Sequence, residues 1–420
     1  MDLPGHVPEN PDYTIRDSAR DSVRFAHRCL EPTAAGRWRA RSSFVNPQGE
    51  IMHWHDFGDL EGPGWAANAM GGALLLYLWA RFDHCHLLEH VSLGLADHVL
   101  DDGFVQTDGL IAGYRCTDTD RLCLNYKHND EWFCPGGMAL TALQMLRLSD
   151  LLGPCDRAAR LVHAADRATE WLLTHVEVGA DGWYPRRVRR DGTPFLGSPE
   201  GPVDPYAYGS ADGLYLVWLL LEQGRRGHAD LVARASGGLT RFTRDGGIYG
   251  SINHDTYDAD ECVARAVACR VTLRAAEWLH EPAWLEFAAQ SAMPGLQRFL
   301  MTEDRNGVAT TGLLRMEDSW DTAYLWENAE VALAYLEMAE ATGDHRLSAR
   351  AVHILRAIAK HHHGDHGFLT EGVDWNNHVG REHHIDGAEF GAIRYTEPLL
   401  NNLNHIEPAM RCLSRTTGGD

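Results

Sequence analysis

The sequence predicts an all-α protein in which six helical hairpins close into a ring, an (α/α)6 toroid. About twelve segments have the 3.6-residue period of a helix, and the connections between them alternate in length. Five connections are very short, and four of them carry a Gly or Pro of the kind that ends one helix or begins the next. The other six are long, roughly 17 to 35 residues each. If short turns join the helices in pairs, all six long loops emerge on one face and form a funnel.

The composition of the helices places them in two layers. Those that follow the long loops are rich in apolar or small residues, at 65–82, 137–152, 211–221, 262–278 and 323–339. Those that precede the long loops are amphipathic, as the helix at 157–175 illustrates with a single apolar stripe. We therefore expect apolar helices inside the ring and amphipathic helices outside it, with kinks or short breaks at Pro294 and Pro408.

A chain of 420 residues ordinarily forms two or three domains, but a single ring of hairpins accounts for nearly all of it. The predicted organisation is a polar extension at 1–16, one barrel domain at 17–414 and a short tail at 415–420. An α-solenoid is the rival architecture, and it would show loops of similar length and a repeated sequence. Neither is present.

Charge and composition exclude several functions. The 38 basic and 59 acidic residues give a net charge of −21, which opposes binding to nucleic acids and anionic membranes. No apolar run is long enough to span a membrane, and the N-terminus lacks the pattern of a secretory signal, so a cytoplasmic protein is expected. Nine cysteines without C-x-x-C spacing suit reduced thiols. Only two lysines, Lys127 and Lys360, are available, and no phosphate-binding loop is found.

The long loops, at 31–63, 102–136, 177–207, 243–259, 303–321 and 364–393, are rich in Asp, His, Trp and Tyr. Such a mixture suits a small saccharide, because aromatic rings stack on sugar rings and polar groups bind hydroxyls. The carboxylate of a uronic acid is expected to bind either to Arg115 or to the N-termini of the inner helices. Several of these residues suit helix caps or solvated loops equally well. The predicted substrate-binding residues are His53, Trp54, His55, Arg115, Tyr126, Trp132, Tyr208, Asp212, Trp320, Glu327, Trp375 and His378.

Carboxylates and one histidine are the candidate catalytic groups. Asp318 and Asp321 lie just before an inner helix, where two carboxyls in one site raise the pKa of one and make it a general acid. A second carboxylate, Asp56 or Asp374, is expected to activate water, and His254 is a candidate for proton transfer. His53 and His55 suit a metal site, but no further ligand clusters with them, so neither a metal nor a cofactor is predicted.

In helix count, loop alternation and length, the chain resembles the six-hairpin sugar-processing enzymes. These include unsaturated glucuronyl hydrolases, other (α/α)6 glycosidases and N-acylglucosamine 2-epimerases. The hydrolases place a catalytic aspartate near the start of an inner helix, a position similar to Asp212 or Asp321. The epimerases use histidine pairs, which His254 with His378 or His384 would supply. The resemblance implies glycoside hydrolysis of a short saccharide, with uronic acids among the candidates, or alternatively epimerisation or eliminative cleavage.

A second resemblance leads to a different class. The run from Asp318 to Ala323 is similar to the Asp-x-Asp-Asp-Thr-Ala motif of squalene-hopene-type terpene cyclases, whose domains are also (α/α)6 toroids. Trp320 stands where those enzymes have the central aspartate. This similarity implies an enzyme that protonates an alkene. A non-catalytic sugar-binding protein is the remaining alternative. The sequence carries no signal for the oligomeric state.

Overall fold

The computed structural model describes residues 6–198, 203–252, 258–319, 322–363, 366–376 and 391–417. Its helices, numbered in chain order, are α1 (Ile15–Arg28), α2 (Ala69–Phe82), α3 (His86–Asp101), α4 (Pro135–Leu152), α5 (Asp156–His175), α6 (Gly213–Arg225), α7 (Ala229–Thr243), α8 (Cys262–Leu279), α9 (from Pro282–Phe287), α10 (Leu325–Thr342), α11 (His345–Ala359) and α12 (Ile406–Thr417). Helix α9 continues through a π-helical turn at Ala288–Ala292, then Met293–Gly295 and a 3-10 turn at Leu296–Arg298.

The even-numbered helices form a closed inner ring. Each packs against the next, from α2 through α4, α6, α8 and α10 to α12, which contacts α2 again. The odd-numbered helices lie outside, each against its hairpin partner, and α1 completes the sixth pair with α12. This arrangement confirms the predicted (α/α)6 toroid.

The two layers differ in burial as their compositions predict. Inner helix α10 is buried along nearly its whole circumference, from Leu325 to Ala339. Outer helix α5 buries one stripe that includes Leu161, Ala165 and Leu172 and exposes its charged face. A helix enclosed on all sides must be apolar all round, whereas an outer helix needs only one apolar stripe.

The two prolines behave differently. Pro294 lies where α9 changes from a π-helical turn to a 3-10 turn, which confirms the expected irregularity. Pro408 is the third residue of α12. In the first turn of a helix the missing N–H has no intrahelical acceptor, so proline fits there without a kink. The kink predicted at Pro408 is therefore wrong.

Small antiparallel sheets join the long loops. The strands are β1 (Leu30–Pro32), β2 (Trp38–Ala40), β3 (Leu60–Glu61), β4 (Tyr114–Cys116), β5 (Leu122–Cys123), β6 (Ala323–Tyr324), β7 (His362–His363), β8 (Phe368–Leu369), β9 (Gly372–Asp374) and β10 (Gly391–Ala392). They pair as β1–β2, β3–β4–β5, β10–β9–β6 and β7–β8. The β3–β4–β5 sheet joins the first and second long loops, and the β10–β9–β6 sheet joins the fifth and sixth.

The rings of two histidines meet beside α1: His405, which precedes α12 and is buried, and His362 of β7, which is half-buried. The rings of His362 and His405 lie 5.9 Å apart between centroids, and His405 Nε2 is 3.3 Å from the Ser18 hydroxyl. Burial lowers the pKa of His405 to about 4 and that of His362 well below its usual value. Both histidines are therefore neutral in the folded protein at neutral pH.

We expect the protein to lose stability as the pH falls from about 6.5 to 4. Because the unfolded chain takes up protons in this range while the folded chain does not, His405 contributes about 3 kcal/mol to the loss, and His362 acts in the same direction. Urea denaturation at several pH values measures it. His405→Asn should flatten the dependence between pH 6.5 and 4, whereas His345→Asn, at an exposed position, should leave it unchanged. Equal pH dependence in the wild type and His405→Asn would contradict this assignment.

In the described part of the chain, none of the helices combines the length and the apolar character needed to cross a bilayer.

Candidate active site

The inner ring encloses a cavity of about 70 Å³ on the toroid axis. It lies between the N-terminal and middle parts of the inner helices, below the long loops, and has room for several water molecules. Its aromatic and polar lining consists of Trp65, Asn68, Gln144, Arg147, Tyr215, Trp218, Arg270, Trp326, Glu330, Asn404 and Glu407. Aromatic surfaces next to amides and charged groups are suited to a polyhydroxylated ligand.

The aromatic side chains of the cavity are held in fixed orientations. The rings of Trp65 and Trp326 meet edge to face, 5.4 Å apart between centroids. The Arg270 guanidinium lies 4.8 Å from the centroid of Trp218. The backbone N–H of Trp326 also donates to the Asn401 side chain at 3.1 Å. Fixed rings lose little conformational entropy when a ligand binds.

Asp212 is a buried carboxyl at the start of α6. Burial raises its pKa to about 7, although Arg186, the N–H of Gly136 and Arg187 act in the opposite direction. Its Oδ2 is buried without a hydrogen-bond partner among the described residues. A Cβ at Gly136 would lie 2.3 Å from Asp212 Cγ, so only glycine allows this approach to α4. A carboxyl with a pKa near neutrality is a candidate general acid.

Asp212 also lies close to the axial cavity. Asp212 is not itself among the lining residues, but Tyr215, one turn further along α6, is. Burial, then the charge of Glu330 and then that of Asp212 raise the pKa of Tyr215. Glu330 lies on α10, and Glu261, which precedes α8, also raises the pKa of Tyr215. The cavity and the carboxyl therefore belong to one electrostatic environment.

Three further carboxylates are buried around the starts of α8 and α10. Glu261, Glu317 and Glu327 are all completely buried. Glu261 accepts a hydrogen bond from the N–H of Ile252 at 2.9 Å, and the Cys262 thiol donates to Glu327 at 3.2 Å. Glu327 was predicted as a substrate-binding residue, and the structure places it at this end of the inner ring. Two neighbouring inner helices therefore begin beside buried carboxyl groups.

The residues predicted in the first long loop lie on the outer rim. Trp54 is 59% exposed, with its ring 5.6 Å from His55 and 6.4 Å from Tyr395. His55 stacks on Phe44, and Asp56 forms an ion pair with Lys127. Trp54 is the member of this group that offers an open surface to a ligand.

His53 forms a surface pair with Asp59 at 2.5 Å. With Asp118 these two residues form the one group in the described ranges whose arrangement would suit a metal ion. His53 is largely exposed, and neither His53 nor Asp59 lines the axial cavity. The group is therefore a surface cluster of the first and second loops.

Residues predicted in the second loop are more enclosed than a sugar platform requires. Tyr126 and Trp132 are buried, with ring centroids 5.5 Å apart, and both line a smaller cavity of about 40 Å³ that shares Trp65 with the axial one. Arg115 points elsewhere. It pairs with Glu61 at 3.5 Å and Asp120 at 2.5 Å, beside the outer helix α3. These carboxylates engage the guanidinium that was expected to hold a uronate.

The remaining predicted residues fall into different environments. Asp318 is half exposed, and hydrogen bonds from Arg315 and Arg298 lower its pKa. Its lowered pKa makes Asp318 unsuited to be the general acid of a carboxyl pair. Asp374 and Trp375 are buried, whereas Tyr208 is partly exposed near Gly179.

Five predicted residues lie outside the described ranges: His254, Trp320, Asp321, His378 and His384. Their roles stay predictions from the sequence.

Sequence reasoning missed the cavity lining itself. The charged lining residues lie in inner helices and not in the long loops to which the site was assigned: Arg147, Arg270, Glu330 and Glu407. The available signal was the presence of charged residues within segments predicted to be enclosed on all sides. A buried charge must be paired, and such pairs mark candidate sites.

No protein-family model and no curated protein sequence matches the chain. Solved structures match nearly all of it. A D-mannose isomerase has a TM-score of 0.65 at 12% identity, covering 96% of this chain and 97% of that one. A cellobiose 2-epimerase from Bacillus thermoamylovorans has a TM-score of 0.63 at 9% identity, with 96% and 99% covered. A GH76 α-mannanase from Bacteroides thetaiotaomicron has a TM-score of 0.61 at 8% identity, with 97% and 98% covered. At these identities the likeness establishes the fold, which is the six-hairpin (α/α)6 toroid.

Proposed function

We propose that the protein is a carbohydrate-processing enzyme that hydrolyses a glycosidic bond, with Asp212 as the general acid. The observation that carries the proposal is a buried carboxyl with a pKa of about 7 next to a cavity lined by aromatic and amide side chains. The solved structures of similar fold support a saccharide substrate, because their names are those of a sugar isomerase, a sugar epimerase and a mannanase.

In this mechanism the aromatic rings of the cavity hold the sugar, and Asp212 donates its proton to the oxygen of the leaving group. Positive charge then develops at the anomeric carbon. We assign to Glu261 and Glu327, buried at the starts of α8 and α10, the role of stabilising that charge or activating water.

The carboxylates predicted from the sequence fit this scheme to different degrees. Asp318 is paired with two arginines and Asp56 with Lys127, which suits structural roles on the rim. Asp374 is buried and is retained as an alternative base. Asp321 is retained as an alternative acid, on the sequence argument alone.

Isomerisation or epimerisation is the second candidate function. The names of two structures of similar fold favour it, and His254 with His378 would supply the acid and base. Within the described ranges, however, the axial cavity is lined by carboxylates and not by histidine. The charged side chains of the lining disfavour a terpene cyclase, because its substrate is a hydrocarbon.

The proposal is tested with a panel of neutral and uronic di- and oligosaccharides incubated in deuterated water. Release of reducing sugar without deuterium incorporation is expected. Incorporation of deuterium at a carbon of an otherwise intact sugar would indicate epimerisation and contradict hydrolysis. An unsaturated product, detected by its ultraviolet absorbance, would indicate eliminative cleavage.

A further inference from the structure

Four charged side chains form the polar floor of the axial cavity: Arg147, Arg270, Glu330 and Glu407. They come from α4, α8, α10 and the start of α12, so the floor spans the ring. Arg147 pairs with Glu407 at 2.7 Å, and Arg270 pairs with Glu330. The floor therefore contains two positive and two negative groups in direct contact.

Further ion pairs behind the floor keep these groups in place. Glu337 lies 3.2 Å from Arg270 and 2.7 Å from Arg274. Arg411 lies 2.9 Å from Glu407. Because each arginine of the floor already contacts a carboxylate, a ligand carboxylate entering the cavity would meet Glu330 and Glu407 at close range. Such like-charge contact in a buried site is strongly unfavourable.

A neutral sugar meets no such repulsion. Its hydroxyls both donate and accept, so they can donate to the oxygens of Glu330 and Glu407 and accept from Arg147 and Arg270. Hydrogen bonds to charged groups are stronger than those between neutral groups. Adjacent donors and acceptors on the floor match adjacent hydroxyls on a pyranose.

We propose that this floor binds the hydroxyls of a neutral sugar and rejects uronic acids, an inference that rests on the proposed saccharide chemistry of the same site. Arg115, the residue expected to recognise a uronate, is engaged by Glu61 and Asp120 beside α3. The substrate is therefore a neutral saccharide.

The first test is binding, which does not require turnover. Wild-type protein is titrated with neutral monosaccharides and with the corresponding uronates, and tryptophan fluorescence and calorimetry report the affinity. Trp65, Trp218 and Trp326 line the same cavity and provide the fluorescence signal. We expect at least one neutral sugar to bind at least tenfold more tightly than its uronate. Equal affinity, tighter binding of the uronate, or no binding of either would overturn the proposal.

The second test changes the charge of the floor. Glu330→Gln should raise the affinity for the uronate relative to the neutral sugar about tenfold, while Glu330→Asp should keep the wild-type preference. Glu277→Gln removes the same charge from α8 at a side chain that is 67% exposed and should have no effect. An unchanged preference in Glu330→Gln with native circular dichroism would contradict the proposal. Discrimination in binding without any release of reducing sugar would leave this inference standing and refute hydrolysis.

Discussion

Asp212→Asn should lower kcat for glycoside hydrolysis by about 10²- to 10⁴-fold, the usual contribution of a general acid. An asparagine side chain has nearly the same shape but holds no transferable proton. Steady-state kinetics on the substrate found in the saccharide panel measures the loss. KM should change much less than kcat, because the proton is transferred only in the transition state.

The pH profile provides a second readout. Since the general acid must be protonated, activity should fall as the pH rises through about 7, the pKa to which burial raises Asp212. Substrates whose leaving groups need no proton should depend less on this group. A profile without an alkaline limb near pH 7 would argue against Asp212.

The same substitution should stabilise the fold at neutral and higher pH. An aspartate whose pKa rises from 3.8 to about 7 on folding binds more protons in the folded state. Stability is therefore lost as the pH rises from about 4 to 7, by up to about 4 kcal/mol. Asp212→Asn removes this penalty, so loss of activity should accompany a higher Tm at pH 8. Damage to the fold would instead lower both.

Asp318→Asn is the matched control, because Asp318 is half exposed and its pKa is lowered by arginines. We expect it to keep most of the activity. If Asp212→Asn keeps full turnover and Asp321→Asn abolishes it, the general acid is Asp321, as the sequence motif suggested.

The architecture was predictable because loop length and helix composition are local properties that repeat along the chain. The ends of helices were less predictable. Helix α2 begins at Ala69 and not near residue 65, because Asn68 takes a left-handed conformation with φ 46°. At 323–324 the chain forms β6, which pairs with β9, about fifty residues further on. Long-range strand pairing overrides local helix propensity there.

The candidate site was harder to predict for the same physical reason. Arg147 and Glu407 are 260 residues apart in sequence, and Arg270 and Glu330 are 60 apart. Nothing local shows that the members of each pair meet. Aromatic residues in the loops posed the opposite problem, because Trp132 and Trp375 have the composition of a sugar platform yet are buried in packing contacts. Composition alone does not separate a stacking surface from a core.

Arg270→Met should lower the free energy of unfolding by about 3–5 kcal/mol. Arg270 is buried in the middle of α8 and joins Glu330 and Glu337 of α10, so it connects two inner helices. Methionine fills a similar volume but leaves the buried Glu337 and the partly buried Glu330 without this cation. Urea denaturation followed by circular dichroism measures the change, with the midpoint compared at constant m-value.

Exposure determines how much an ion pair contributes, so the matched control is Arg346→Met. Arg346 pairs with Asp344 at 2.7 Å, but its side chain is 72% exposed. Water screens such a pair, and we expect a change of at most about 1 kcal/mol. The double variant Arg270→Met, Glu330→Gln should recover part of the loss, because it removes the stranded charge together with its partner. Equal losses in Arg270→Met and Arg346→Met would mean that the buried floor does not hold the inner ring together.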